Sequence, residues 1–309
     1  MRPFFIIAAA VNVAALLTLS GPARAQANRT FVSGHGSDTS PCSLAAPCRT
    51  LQGAFNQTLA NGEITVLDAA GYGALTIAHA IGVNSDGVGE AGVTGITITA
   101  GAGDVVNLRG LSLVGDKTGA TGIAITSAGT VNVQNCLIKD FTARGIATFT
   151  TSDVVINVSD TTFSGNGSAG IVVAPSGAGS AVVSLNHDQF FGNGLQGAEL
   201  STSLTTGAVK GMVANSYFTG NGIGVFALSA TGTGLLNVAL TNLQLFSDGV
   251  GLNAQGPVTT VALAQTTIAG DQAPGAGYFI GPGAVVNSHG NNSISSSNNT
   301  GALTPVGQQ

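Results

Sequence analysis

One short unit recurs through most of this chain, and it constrains the fold more than any other feature. Taking one apolar anchor per unit gives Leu113, Ile138, Phe163, Phe190, Phe218, Leu245 and Ile268, spaced by 25, 25, 27, 28, 27 and 23 residues. Five residues before each anchor stands an aliphatic residue: Leu108, Val133, Val158, Leu185, Val213, Leu240 and Leu263. Seven before stands another, except at Gly211. Three before stand Gly110, Asn135, Asp160, His187, Asn215, Asn242 and Gln265. After the anchor come a turn and a Gly-aliphatic-x-aliphatic segment, such as GIAI at 122–125 or GIVV at 170–173.

Alternation of β-branched residues with period two specifies strand rather than helix. Strands of three to five residues cannot bury a face alone. Stacked laps can, each pairing with the next at about 4.8 Å. The repeat therefore predicts an all-β chain, a single-stranded parallel β-helix. Two less regular laps precede residue 105, for about nine laps and a rod of roughly 43 Å. A leucine-rich horseshoe shares the period but would need Leu-rich laps and a helical return. Here the laps are Val- and Gly-rich.

The corner after the anchor is also patterned. Three residues past each anchor stand Asp116, Phe141, Asn166, Asn193, Asn221, Asp248 and Asp271, and Gly precedes five of them. Asn and Asp tolerate left-handed backbone and bond nearby N–H groups, while Gly tolerates the tight bend. FSGNG at 163–167 and FTGNG at 218–222 are thus readings of one corner, not a duplicated active site. Stacked amides there would bond along the rod.

The chain divides into 1–25, a leader; 26–62, an N-terminal segment; 63–285, the β-helix; and 286–309, a partial lap and tail. The leader has Arg2, the apolar run FFIIAAAVNVAALLTL and the small-x-small site Ala23-Arg24-Ala25, the marks of a cleaved signal peptide. In RTLQGAFNQTLANG, at 49–62, Leu51, Ala54, Phe55 and Leu59 share a helical stripe, Thr50 is an N-cap and Gly62 follows the end. This reads as a helix capping the open N-terminal end of the sheets.

Charged residues make up 7% of the chain, against about 25% in a typical globular protein. Without the leader's Arg2 and Arg24, seven basic side chains face fourteen acidic ones. That balance gives no electrostatic footprint for nucleic acid. Cys42 and Cys48, six residues apart in an exported chain, read as a local disulfide worth roughly 2 kcal/mol. Cys136 sits within the repeat and reads as a buried thiol.

The segments RTFVSGHGSDTSPCSLAAPCRTLQGAF and GEITVLDAAGYGALTI resemble the N-terminal portion of exported bacterial right-handed parallel β-helix repeat proteins of the pectin-lyase-like superfamily, and VVNSHGNN resembles the end of such chains. The resemblance implies a right-handed coil and a secreted, periplasmic or cell-surface setting. Relatives with this fold cleave or bind polysaccharides, and fold alone does not choose between these.

Cleavage of a polysaccharide requires two or more converging carboxylates, or a base together with acids that hold Ca²⁺. The outward positions of the strand after the corner read Ala124, Ala147, Val172, Glu199, Phe226 and Asn253, a single carboxylate in a small, apolar row. No calcium-roll repeat or other metal or cofactor motif is present. One charged cluster stands out: Asp116 and Lys117 in one turn, with Lys139, Asp140 and Arg144 in the next lap's turn. Its two readings are a salt-bridged turn and a site for a cation, a uronate or an anionic glycan. His187 beside Asp188 reads as a corner residue with a solvated neighbour, or as a catalytic pair. With no Trp and three Tyr, sugar stacking has few rings to use; Phe226 is the exception. The leading expectation is a non-catalytic envelope or extracellular module, structural or polysaccharide-binding. The alternative is a carbohydrate-active enzyme using Asp116, Asp140 and Arg144.

Overall fold

The computed structural model describes residues 26–270 and 275–307. The leader assigned to residues 1–25 and the corner residue Asp271 lie outside the described residues. Each lap contributes one strand to each of three parallel sheets. The first sheet has twelve strands, from Ala27–Val32 to Thr304–Pro305; the second has ten short ones, from Ala70–Gly71 to Ser293–Ile294; the third has nine, from Ala74–Ile77 to Ala276–Ile280. The nine strands of the third sheet are separated by eight laps, so the solenoid has about eight turns, one fewer than the spacing predicts.

The register follows the repeat. All seven anchors pair in sequence, Leu113 with Ile138, then Phe163, Phe190, Phe218, Leu245 and Ile268. Each is fully buried. The rings of Phe163 and Phe190 stack at 4.8 Å between centroids, and those of Phe190 and Phe218 at 4.5 Å. Identical residues therefore stack on themselves, and one apolar core runs the length of the rod.

Two of the three corners in each lap are regular. Between the first and second sheets a single residue takes left-handed backbone: Gly110, Asn135, Asp160, His187, Asn215, Asn242 and Gln265 all have φ between 51° and 73°. Between the second and third sheets the buried rungs Asn166, Asn193, Asn221 and Asp248 form a ladder. Asn166 Nδ2 donates to Asn193 Oδ1 at 3.0 Å, Asn193 Nδ2 to Asn221 Oδ1 at 2.9 Å, and Asn221 Nδ2 to Asp248 Oδ1 at 2.9 Å. Each acceptor oxygen also takes the backbone N–H of the rung before it.

The ladder is shorter than the sequence pattern. Asp116 is exposed, and Phe141, fully buried, fills the rung position one lap later. Phe141 keeps the backbone half of the arrangement, donating its N–H to Asn166 Oδ1 at 3.2 Å. Gly115, Gly119 and Gly122 make room for its ring.

Gly122, Gly145, Gly170, Gly197, Gly224 and Gly251 form a second column just past this corner. A Cβ on any of them would stand 2.5–2.7 Å from the carbonyl oxygen of the next glycine in the column. Close backbone approach, not turn conformation, requires glycine there.

The N-terminal helix is shorter than the apolar stripe predicts. α1 spans Leu51–Phe55, with Thr50 as N-cap accepting from Gly53 N. Leu51, Ala54 and Phe55 are buried as expected. Leu59 is not on the helix: it lies in strand Thr58–Val66 and is 39% exposed. Pairing with strand Ala27–Val32 outcompetes a third helical turn, and the Thr58 hydroxyl, hydrogen-bonded to Thr30 and Ala54 O, marks the switch. Gln52 on α1 accepts from Thr76 N, on the edge strand of the third sheet. The Cys42–Cys48 disulfide is formed, and its loop bonds the outer edge of Ala27–Val32 through Phe31 and Cys48. Both devices cover sheet edges that would otherwise template association.

Asn221→Ala should destabilise the rod by about 1–3 kcal/mol, because it strands the buried Asn193 N–H and Nδ2. Thermal unfolding would show a melting temperature lowered by several degrees. An unchanged melting temperature would count against the ladder's role.

Candidate binding face and charged clusters

Inside the rod each lap repeats its neighbour, so differences between laps are displayed outside. The outward row of the third sheet runs in register through Thr97, Ala124, Ala147, Val172, Glu199, Phe226, Asn253 and Phe279. At the strand spacing it is roughly 34 Å long. Ala147, Val172 and Asn253 face outward yet are at most 8% exposed. Glu199 and Phe226, mid-row, are half-buried. Burial pushes the Glu199 carboxyl up, and Arg144, on a strand two laps away, partly offsets this. The row thus places one acid of raised proton affinity beside an aromatic ring, with Arg144 the nearby charge that acts on it.

The turn cluster divides between two places. Lys117 Nζ pairs with Asp140 Oδ1 at 2.7 Å and donates to Gly165 O at 2.7 Å. Asp116, Lys117 and Asp140 all have left-handed backbone. Arg144 leaves this turn and enters the third sheet, where its charge acts on Glu199. Lys139 ends a second-sheet strand, half-buried. Among the described residues no group of three His, Cys, Asp or Glu side chains could hold a metal.

His187 takes the left-handed corner as the spacing indicates, but Asp188 beside it is not solvated. His187 is exposed, its Nδ1 3.1 Å from Asn186 Nδ2. Asp188 is the buried one, at 1% exposure. The left-handed residue before it turns the chain, so the next side chain points inward. Cys136, Thr161, Ser216 and Thr266 occupy the same inner column. Asp188 Oδ1 accepts Thr161 N at 2.9 Å, and Ser216 Oγ accepts Asp188 N at 3.1 Å. Asp188 Oδ2 is buried without a hydrogen-bond partner. Burial, with a smaller push from Asp160, raises this carboxyl to about 7. Cys136 is a buried free thiol, raised by burial to about 11.

One comparison with known proteins agrees with this geometry. Residues 75–208 match the family model described as the right handed beta helix region. The chain is a right-handed parallel β-helix. A solved structure, the crystal structure of pectate lyase Pel9A, is similar at 13% sequence identity and a TM-score of 0.46, over 91% of this chain and 80% of that one. No curated protein matches.

The raised Asp188 carboxyl has a definite sign. Folded β-helix holds its proton up to about pH 7, while the unfolded chain releases it near pH 4. Stability from this group therefore falls as pH rises between those values, by at most about 4 kcal/mol. Asp188→Asn should flatten the pH dependence of the melting temperature across that window and raise it at pH 8. A variant with the parent's pH profile would contradict this.

Proposed function

We propose that this β-helix is an extracytoplasmic binding module whose third-sheet outer face holds an extended polymer, a polysaccharide being the class that fits. The observation that carries this reading is the unbroken outward row from Thr97 to Phe279, in register and with Phe226 and Glu199 at its centre. A long flat row suits a chain-like ligand. The Phe226 ring offers an apolar platform, and Asn253, its partner on the next strand, offers a neutral amide beside it. The disulfide supports an oxidising compartment, secreted or periplasmic. No helix among the described residues is long and apolar enough to cross a membrane. The engagement of Asp140 by Lys117 favours binding over a cleaving centre built on Asp116, Asp140 and Arg144.

One observation favours a second reading, polysaccharide cleavage with Glu199 as proton donor. Its carboxyl is held above the usual range, as a general acid requires.

Affinity electrophoresis in gels containing neutral and acidic polysaccharides tests the first reading. Retardation should occur in at least one gel and weaken about tenfold in affinity for Phe226→Ala, a loss of roughly 1.4 kcal/mol. Equal mobility in every gel would contradict it. Product release from the same polymers, with or without Ca²⁺, and lost in Glu199→Gln, would establish the second reading instead.

A further inference from the structure

The outer face of the second sheet carries a feature that the third-sheet reading does not use. Tyr217 lies between Gln189 and Gln244 in one outward column, and Thr219 lies between Phe191 and Phe246 in the column beside it. The three aromatic residues thus share one face, across three successive laps. The rings of Phe191 and Tyr217 are 5.7 Å apart and tilted by 56°. Phe246 is 46% exposed. Elsewhere this sheet's outward positions hold mostly Ser, Thr, Leu or Lys, such as Thr162, Ser164, Leu137 and Lys139.

A depression of about 460 Å³ opens beside Tyr217, lined by Asp160, His187, Asp188, Gln189, Asn215 and Tyr217. The size is that of a small-ligand site. Asn215 Nδ2 is held by Asn186 Oδ1 at 2.8 Å, and Asn215 Oδ1 accepts from Asn242 Nδ2 at 2.8 Å, so this wall is fixed. The lining contains two carboxyl groups and neither Lys nor Arg. Partly exposed rings beside the fixed Asn215 amide match a ligand with one apolar face and a hydroxyl rim, which is the chemistry of a pyranose. The exposed Asp160 carboxylate, with no Lys or Arg in the lining to offset it, opposes a ligand that carries its own carboxylate.

We propose that Phe191, Tyr217 and Phe246, with the depression formed by Asp160, His187, Gln189 and Asn215, are a second saccharide site, selective for neutral or amino-bearing pyranosides over uronates. It is separate from the third-sheet row, so each site can fail without the other.

Isothermal titration of the purified protein with a glucose oligomer, a glucosamine oligomer and a galacturonate oligomer tests this. The glucose and glucosamine oligomers should bind, and the galacturonate oligomer should bind at least tenfold more weakly to this site. Tyr217→Ala should weaken the first two by tenfold or more, while Lys210→Ala, at an exposed first-sheet position outside both faces, leaves that binding unchanged. Phe246→Ala, at an exposed position, provides the same readout should Tyr217→Ala unfold the sheet. The proposal is overturned by absence of binding to both carboxylate-free oligomers. It is also overturned by equal affinity for the galacturonate oligomer, or by binding that neither aromatic substitution changes.

Discussion

A parallel solenoid must satisfy the backbone N–H groups at its buried corners, lap after lap, with no water to help. The Asn166–Asn193–Asn221–Asp248 ladder meets this requirement with one residue type. Each side-chain oxygen serves the backbone and amide of the preceding lap, and each amide nitrogen also donates to an anchor carbonyl, such as Phe190 O. An unmade bond in this interior would cost more than a made one contributes. The glycine column beside the ladder depends on the same close approach. The Phe stack and the parallel registers follow once that corner is fixed.

A constant interior leaves the exterior free to differ. The first sheet presents an exposed amide row, with Asn157 donating to Asn132 and Asn132 to Asn107. The third presents small and apolar residues around Glu199 and Phe226. The second presents three aromatic residues. The three faces therefore offer different chemistry on one scaffold, and binding specificity would arise from outward positions that contribute little to the core. The charged turn at Lys117 and Asp140 is itself part of the scaffold's packing, since Phe141 beside it occupies a ladder position.

Much of this was readable from residues alone. The anchors Leu113 to Ile268 pair as the spacing requires, and the Asx corners stack. The outward row from Ala124 to Asn253 faces as alternation indicates. The failures share a physical cause. A single left-handed residue resets the alternation, so Asp188, expected in solvent beside the corner residue His187, is buried. A bulky apolar residue can occupy a polar rung when glycines clear its ring, so Phe141 interrupts the Asx pattern without losing the backbone bond of the corner. The helical stripe through Leu59 lost to strand pairing, a contact between residues 28 to 34 apart that local pattern does not report. The Phe191, Tyr217 and Phe246 group was visible only as residues flanking anchors of different laps. Recognising it required placing those positions side by side on the outer face.

The central claim is that buried side-chain oxygens at the corner hold the laps together. Native-state hydrogen exchange at the backbone amides of Asn166, Asn193 and Asn221 measures this directly. The account predicts protection equal to that of the central first-sheet strands, because opening any rung requires unfolding neighbouring laps. Exchange at these three amides as fast as in the exposed turns around Leu204 and Leu235 would contradict it.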